Sequence, residues 1–253
     1  MLILIVILLI GILTLYGYKK GVISIAVSLV SAIVTLLLAT IVVPVMCRQI
    51  KMETDVDEKL ANTIYESLID KEEVSTYLED AEYVVDLDNE DIKDTYVKNY
   101  LEIIGQKANL PESIVNTISN TSLDEIGKDI ESYAQATAKE IVLRIFSARM
   151  ADIIISAIVY CVVFVVVFIL LRVIAGATGV VSRLPVIHQA NKAGGAALGF
   201  VEGLIAVWLF FALLTAMGSN SFALDMMNQI HNNSVLEFLY NNNLVLKLIF
   251  NFI

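Results

Sequence analysis

Histidine is almost absent from this chain of 253 residues: only His188 and His231 occur, and neither stands at a spacing that could hold zinc. Cysteine is as scarce. Cys47 closes one apolar run and Cys161 lies well inside another, so the two differ too much in depth to pair and read as packing residues. There is no GxSxG elbow, no phosphate-binding glycine loop and no CxxC pair. These gaps leave no catalytic, cofactor-binding or metal-binding residue to name, and the expectation is a protein that is not an enzyme and uses no cofactor. The nearest approach to a metal motif is DLDNED, Asp86 to Asp91. A calcium loop needs glycine at its sixth position and glutamate at its twelfth, where this chain has Asp91 and Val97, so the stretch reads as a solvated acidic turn ahead of a helix beginning near Ile92.

Charge is also missing from both ends of the chain. The segment Arg48 to Met150 holds 23 of the 27 Asp and Glu against 11 of the 17 Lys and Arg, a balance of −12 within a total of −10. That acidity excludes nucleic acid as a partner of the segment, because phosphates would be repelled, and adhesion to anionic lipid with it. What fills the ends is apolar: 57% of residues are hydrophobic and the mean hydropathy is +0.75, more than a soluble core of this size needs.

Windows of about 20 apolar residues place four spans. They run from Met1 to Tyr16, from Val22 to Met46, from Ala151 to near Ala175 and from near Ala193 to Met217. The first has no positive region before it and no small-residue cleavage site after it, so it reads as a retained helix. The fold class is therefore all-α, a polytopic membrane protein with four transmembrane helices and an extracytoplasmic helical domain. Its parts are residues 1–47, a hairpin of two spans; 48–150, the acidic domain; 151–218, a second hairpin; and 219–253, a C-terminal segment. Lys19 and Lys20 fill the first short turn, and Arg183 and Lys192 flank the second with no acid nearby. Both turns then face the cytoplasm, which places the termini and residues 48–150 outside.

The acidic segment reads as helical. Val56, Leu60, Ile64 and Leu68 step by four, as do Ile92, Tyr96, Tyr100 and Ile104, while Pro111 with Glu112 makes a helix start. Ser122 and Glu125 form a capping box before a periodic run from Ile126 to Ile145. No glycine or proline then follows until Gly176, so one helix can run from the outer domain into span three; a break near Ser147 to Asp152 is the alternative.

Span four begins NKAGGAALGFVEG. Gly195, Gly199 and Gly203 recur every fourth residue along one face, widened by Ala193, Ala197 and Ala206, and such a face lets a second backbone approach closely. Contact between copies of the chain and a tight fit on span two or three of the same chain both remain open. Glu202 lies about 15 Å into the span counted from Lys192, where a charge must be paired, protonated or wet. Arg172, near the end of span three, is the one basic residue at comparable depth, so an Arg172–Glu202 pair is expected, with a polar lining of a water-filled path as the other reading.

Two segments resemble the colicin V production protein family. They are GYKKG, residues 17–21, closing the first hairpin, and SRLPVIHQANKAGGAALGFVEG around the start of span four. Gly17, Lys19, Lys20, Gly21, Arg183, Pro185, Asn191, Lys192, Gly195 and Gly199 carry the likeness. The resemblance implies a bacterial inner-membrane protein linked to bacteriocin production and envelope homeostasis, without known enzymatic activity. The outer segment of about 100 residues departs from the shorter members. Beyond span four the six asparagines between Asn228 and Asn243 preclude another span, while Leu236, Leu239, Tyr240, Leu244, Leu248 and Phe252 suit short amphipathic helices on the outer leaflet or against a neighbour. The expected partners are the lipid bilayer and a second copy or another membrane protein, in a scaffold or accessory role; the competing reading is an oligomeric channel or transporter with a path along span four near Glu202.

Overall fold

The computed structural model describes residues 1–69, 90–107, 112–119, 138–177, 188–217 and 221–250. Among them there is no strand. The helices are α1 (Leu2–Lys20), α2 (Val22–Glu53), α3 (Val56–Ile69), α4 (Glu90–Lys107), α5 (Glu112–Ser119), α6 (Ala138–Ala177), α7 (His188–Ala216), α8 (Ser221–His231), α9 (Ser234–Asn241) and α10 (Leu244–Phe250). Stretches within α1, α2, α6 and α7 are long and apolar enough to cross a membrane, as the hydropathy windows predict. Helix is what such sequences must form in lipid, because each backbone N–H and C=O then finds its partner within the segment.

Three boundaries follow from local chemistry. Gly21, at φ 85°, takes the left-handed region that closes α1, and its N–H bonds back to the Gly17 carbonyl. Glu112 opens α5 where the Pro-Glu pair predicts a start. Helix α6 continues through Ser147 to Asp152, so the break does not occur; with no glycine or proline between Ala138 and Ala175, nothing in the sequence interrupts it. The capping box at Ser122 and Glu125, most of the DLDNED stretch, and Arg183 and Pro185 lie outside the described residues.

The chain divides into two compact units, Met1–Gln49 with Ser156–Phe252, and Ile50–Ile155. In the first, the usual arrangement of a water-soluble protein is inverted. Leu4, Ile41 and Val173 are 67%, 68% and 64% exposed, while Ser28, Ser31, Thr35, Ser156 and Thr215 are buried. Ser31 and Thr35 satisfy their hydroxyls on the carbonyls of Val27 and Ser31, at 2.8 and 2.7 Å. Where α2, α6 and α7 meet, Ala32, Phe164 and Ile205 form a packed centre, with Phe164 and Phe168 stacked at 5.7 Å. Neither cysteine is in a disulfide and both are buried: Cys47 Sγ lies 3.8 Å from Ser156 Oγ, and Cys161 Sγ donates to the Leu209 carbonyl.

In the second unit Ile64, Leu68, Leu101, Ile104, Val115, Ile118 and Phe146 are buried, so the later members of the two four-residue steps, Ile64, Leu68 and Ile104, face a core; Val56, at the start of the first, is exposed, and the side chains of Ile92 and Tyr96 lie outside the described residues. Lys51, in the last turn of α2, forms a salt bridge with Asp152, well inside α6.

The C-terminal segment docks on α7. Asn233 caps α9, its Oδ1 accepting from Val235 N and Leu236 N, and Asn243 does the same for α10 through Leu246 N. Asn243 also donates to the Trp208 carbonyl at 2.9 Å, and Trp208 Nε1 donates to the Leu239 carbonyl at 3.2 Å. Two of the asparagines that bar this segment from spanning, Asn233 and Asn243, thus cap its short helices, and Asn243 also fastens the segment to α7.

Candidate functional site at the glycine seam

The glycine face of α7 is occupied by α1 of the same chain. A Cβ built on Gly203 would sit 3.0 Å from Ile10 Cα, one on Gly199 would sit 3.2 Å from Thr14 Cα and collide with the Leu13 carbonyl oxygen, and one on Gly195 would meet Gly21 Cα at 3.0 Å and the Gly17 carbonyl. Gly17 is the reciprocal contact, with Gly199 Cα 3.1 Å from a Cβ there. Backbone approaches backbone along three helical turns, the packing that holds helices together where lipid offers no hydrophobic drive. Of the two arrangements the sequence allows, the fit within the chain is the one present, but the partner is span one rather than span two or three. Contact between copies through this face is thereby displaced, since α1 fills the space a second copy would need.

The two motifs that carry the family resemblance meet here. Asn191 Oδ1 accepts from Val22 N at 2.8 Å, supplying a partner to one of the unsatisfied donors at the start of α2. Its amide also closes over Gly21, where any Cβ would clash with Asn191 Cγ at 2.8 Å. Lys20 stands over the Tyr16 ring and Lys192 over the Tyr18 ring, at 5.8 and 5.5 Å. So GYKKG and NKAGG, some 170 residues apart, form one joint.

Glu202 does not meet Arg172. Its Oε1 accepts a 2.6 Å hydrogen bond from the Ser28 hydroxyl on α2, and its Oε2 is buried without a partner among the described residues, as is the Thr14 hydroxyl on α1. The mismatch is one of depth. Counted inward from the helix ends, Arg172 lies about 7 Å inside α6 but Glu202 about 21 Å inside α7, which begins at His188 rather than at Lys192. Ser28 is the residue the sequence reading missed. Its only signal is a hydroxyl on the second span, which hydropathy windows discount.

A second polar feature belongs to the unit Ile50–Ile155. A cavity of about 630 Å³ is lined by Lys51, Asp55, Glu58, Tyr65, Arg144 and Asp152 among others. The Arg144 guanidinium lies 4.6 Å from the centre of the Tyr65 ring, and the Tyr65 hydroxyl donates to Glu140 at 3.3 Å. Burial, with the Glu140 carboxylate adding to it, holds the Tyr65 phenol above the ordinary tyrosine range. His231 is turned back on its own helix, its Nδ1 2.9 Å from the Met227 carbonyl. Among the described residues no group of three His, Cys, Asp or Glu could hold a metal ion.

Helices that hold serines and threonines inside and turn leucines, isoleucines and valines outward define a multi-pass α-helical membrane protein. Residues 132–243 match the family model described as Colicin V production protein, a stretch that takes in the third and fourth spans and most of the C-terminal segment. The matched part holds Asn191, Lys192, Gly195 and Gly199; GYKKG lies before it and joins it only through the fold. No curated protein and no solved structure matches the chain.

Proposed function

We propose that the chain is a non-enzymatic protein of the bacterial inner membrane that supports the production or secretion of a colicin V-type toxin, or the upkeep of the envelope, as a scaffold or accessory. The observation that carries this reading is the family domain at 132–243, whose glycine motif is the surface that holds α1 on α7. Copies of the chain or another membrane protein are its partners, met through faces other than the glycine seam. In a host that carries the colicin V genes and lacks its own family member, supplying this chain should raise toxin release several-fold. Unchanged release would remove the proposal.

A path for ions or protons near Glu202 is the second reading, favoured by the two orphaned oxygens, Glu202 Oε2 and Thr14 Oγ1. The same assay separates the two. Glu202→Ala should leave release intact if the chain is a scaffold, and abolish it, at unchanged membrane abundance, if the carboxylate lines a path.

The orientation belongs to this proposal: both short turns in the cytoplasm, the termini and residues 48–150 outside. Glu66 and Ala190 are exposed positions on either side of the expected membrane, and the native cysteines are buried. In intact cells a membrane-impermeant thiol reagent should label Glu66→Cys and spare Ala190→Cys. The reverse pattern overturns the orientation.

A further inference from the structure

Among the described residues, Arg172 has no carboxylate against it and no hydrogen bond. It lines a groove of about 450 Å³ between the beginning of α2 and the end of α6, together with Ser24, Val27, Phe168, Ile169 and Val173. No described residue fills the groove at Gly176: a Cβ built there, in its wall, meets nothing within 4 Å. Its bed is apolar and its rim carries one guanidinium and one hydroxyl. A guanidinium about 7 Å inside an apolar helix is stabilised by an anion at the interface, and no carboxylate among the described residues supplies one.

The same end of the unit gathers three further cations. Lys19 and Lys20 end α1, and Lys192 lies in the first turns of α7; the Asn191 to Val22 hydrogen bond shows that these ends are neighbours, and Ser24 beside Arg172 adds the end of α6. Tyr16 and Tyr18, over which Lys20 and Lys192 stand, supply the aromatic belt of a membrane interface.

We propose that this groove binds an anionic phospholipid, with the phosphate on Arg172 and Ser24 and an acyl chain along Val27, Phe168, Ile169 and Val173. A phosphate oxygen pair matches the fork of the guanidinium, and the acyl chain covers side chains of which Ile169 and Val173 are 55% and 64% exposed in the protein alone. A free phosphate would satisfy Arg172 and leave this bed uncovered. The site is independent of any role in toxin production, since it rests only on the chain lying in a membrane.

The test uses the full-length protein in detergent, titrated with dioleoylphosphatidylglycerol, dioleoylphosphatidylcholine or inorganic phosphate, and read by native mass spectrometry and thermal shift. Phosphatidylglycerol should be retained and raise the melting temperature at concentrations where the other two do neither. Arg172→Gln should weaken its binding about tenfold and Arg172→Lys less, because the point charge remains. Gly176→Leu, which puts a side chain into the open groove, should lower binding in a protein that folds normally, and it decides the matter if Arg172→Gln does not fold. Equal retention of the two lipids, a shift with inorganic phosphate equal to that with phosphatidylglycerol, or undiminished binding by Gly176→Leu would each overturn the assignment.

Discussion

Gly199→Leu should leave little folded protein in the membrane. At position 199 the backbones of α7 and α1 are so close that the first added carbon already strikes the Leu13 carbonyl, and leucine adds three more. Neither helix can yield alone, because Gly195 and Gly203 hold the same seam a turn away on either side. The cost is at or above the roughly 3 kcal/mol usual for overpacking, since backbone rather than a flexible side chain must move. Thermal unfolding in detergent and abundance in the membrane both read it. Gly11→Leu is the matched control: it lies on the same helix α1, nothing approaches within 4 Å of a Cβ there, and the variant should behave as the parent. A Gly199→Leu protein of parental stability would mean that α1 does not occupy this face. A stable but smaller species would restore the face to contact between copies.

That outcome bears on what a sequence can show. Hydropathy located the four spans, because their composition is set by lipid and not by any neighbour. Periodicity likewise marks part of the buried faces of α3 and α4, where Ile64, Leu68 and Ile104 of the two four-residue steps are buried while Val56 is exposed. The glycines announced a close approach, yet not by what, since a smooth face fits any backbone. Gly17 and Gly21 were visible only as a motif; that they receive Gly195 and Asn191 depends on how four helices are ordered around one another, which no short-range pattern encodes. Pairing Glu202 with Arg172 failed for a related reason. A depth counted from Lys192 is too small, because the helix begins at His188 and carries Glu202 deeper than Arg172. A neutral hydroxyl, Ser28, satisfies one carboxylate oxygen with no charge to reveal it.

The C-terminal segment is the other place where neighbours decide, and Tyr240→Ala should show it. Tyr240 is 1% exposed, its ring 5.6 Å from that of Phe211, and its hydroxyl lies 2.6 Å from Thr215 Oγ1. Thr215 spends its own proton on the Phe211 carbonyl at 3.0 Å, so the tyrosine is the donor of the pair. Truncation to alanine removes the ring from a closed site and should cost about 3–5 kcal/mol, releasing α9 and α10 from α7. Tyr240→Phe keeps the ring and loses one hydrogen bond, about 1 kcal/mol, because the remaining threonine is still satisfied. Burial raises the phenol above its ordinary value. The folded chain therefore keeps a proton that the unfolded chain releases near pH 10, and the parent should lose stability as pH rises past 10 while Tyr240→Phe loses less. Limited proteolysis distinguishes docking from a segment resting on the bilayer: cleavage after Lys247 should be slow in the parent and fast in Tyr240→Ala. Equal cleavage, with equal thermal stability, would show that lipid and not α7 holds the segment in place.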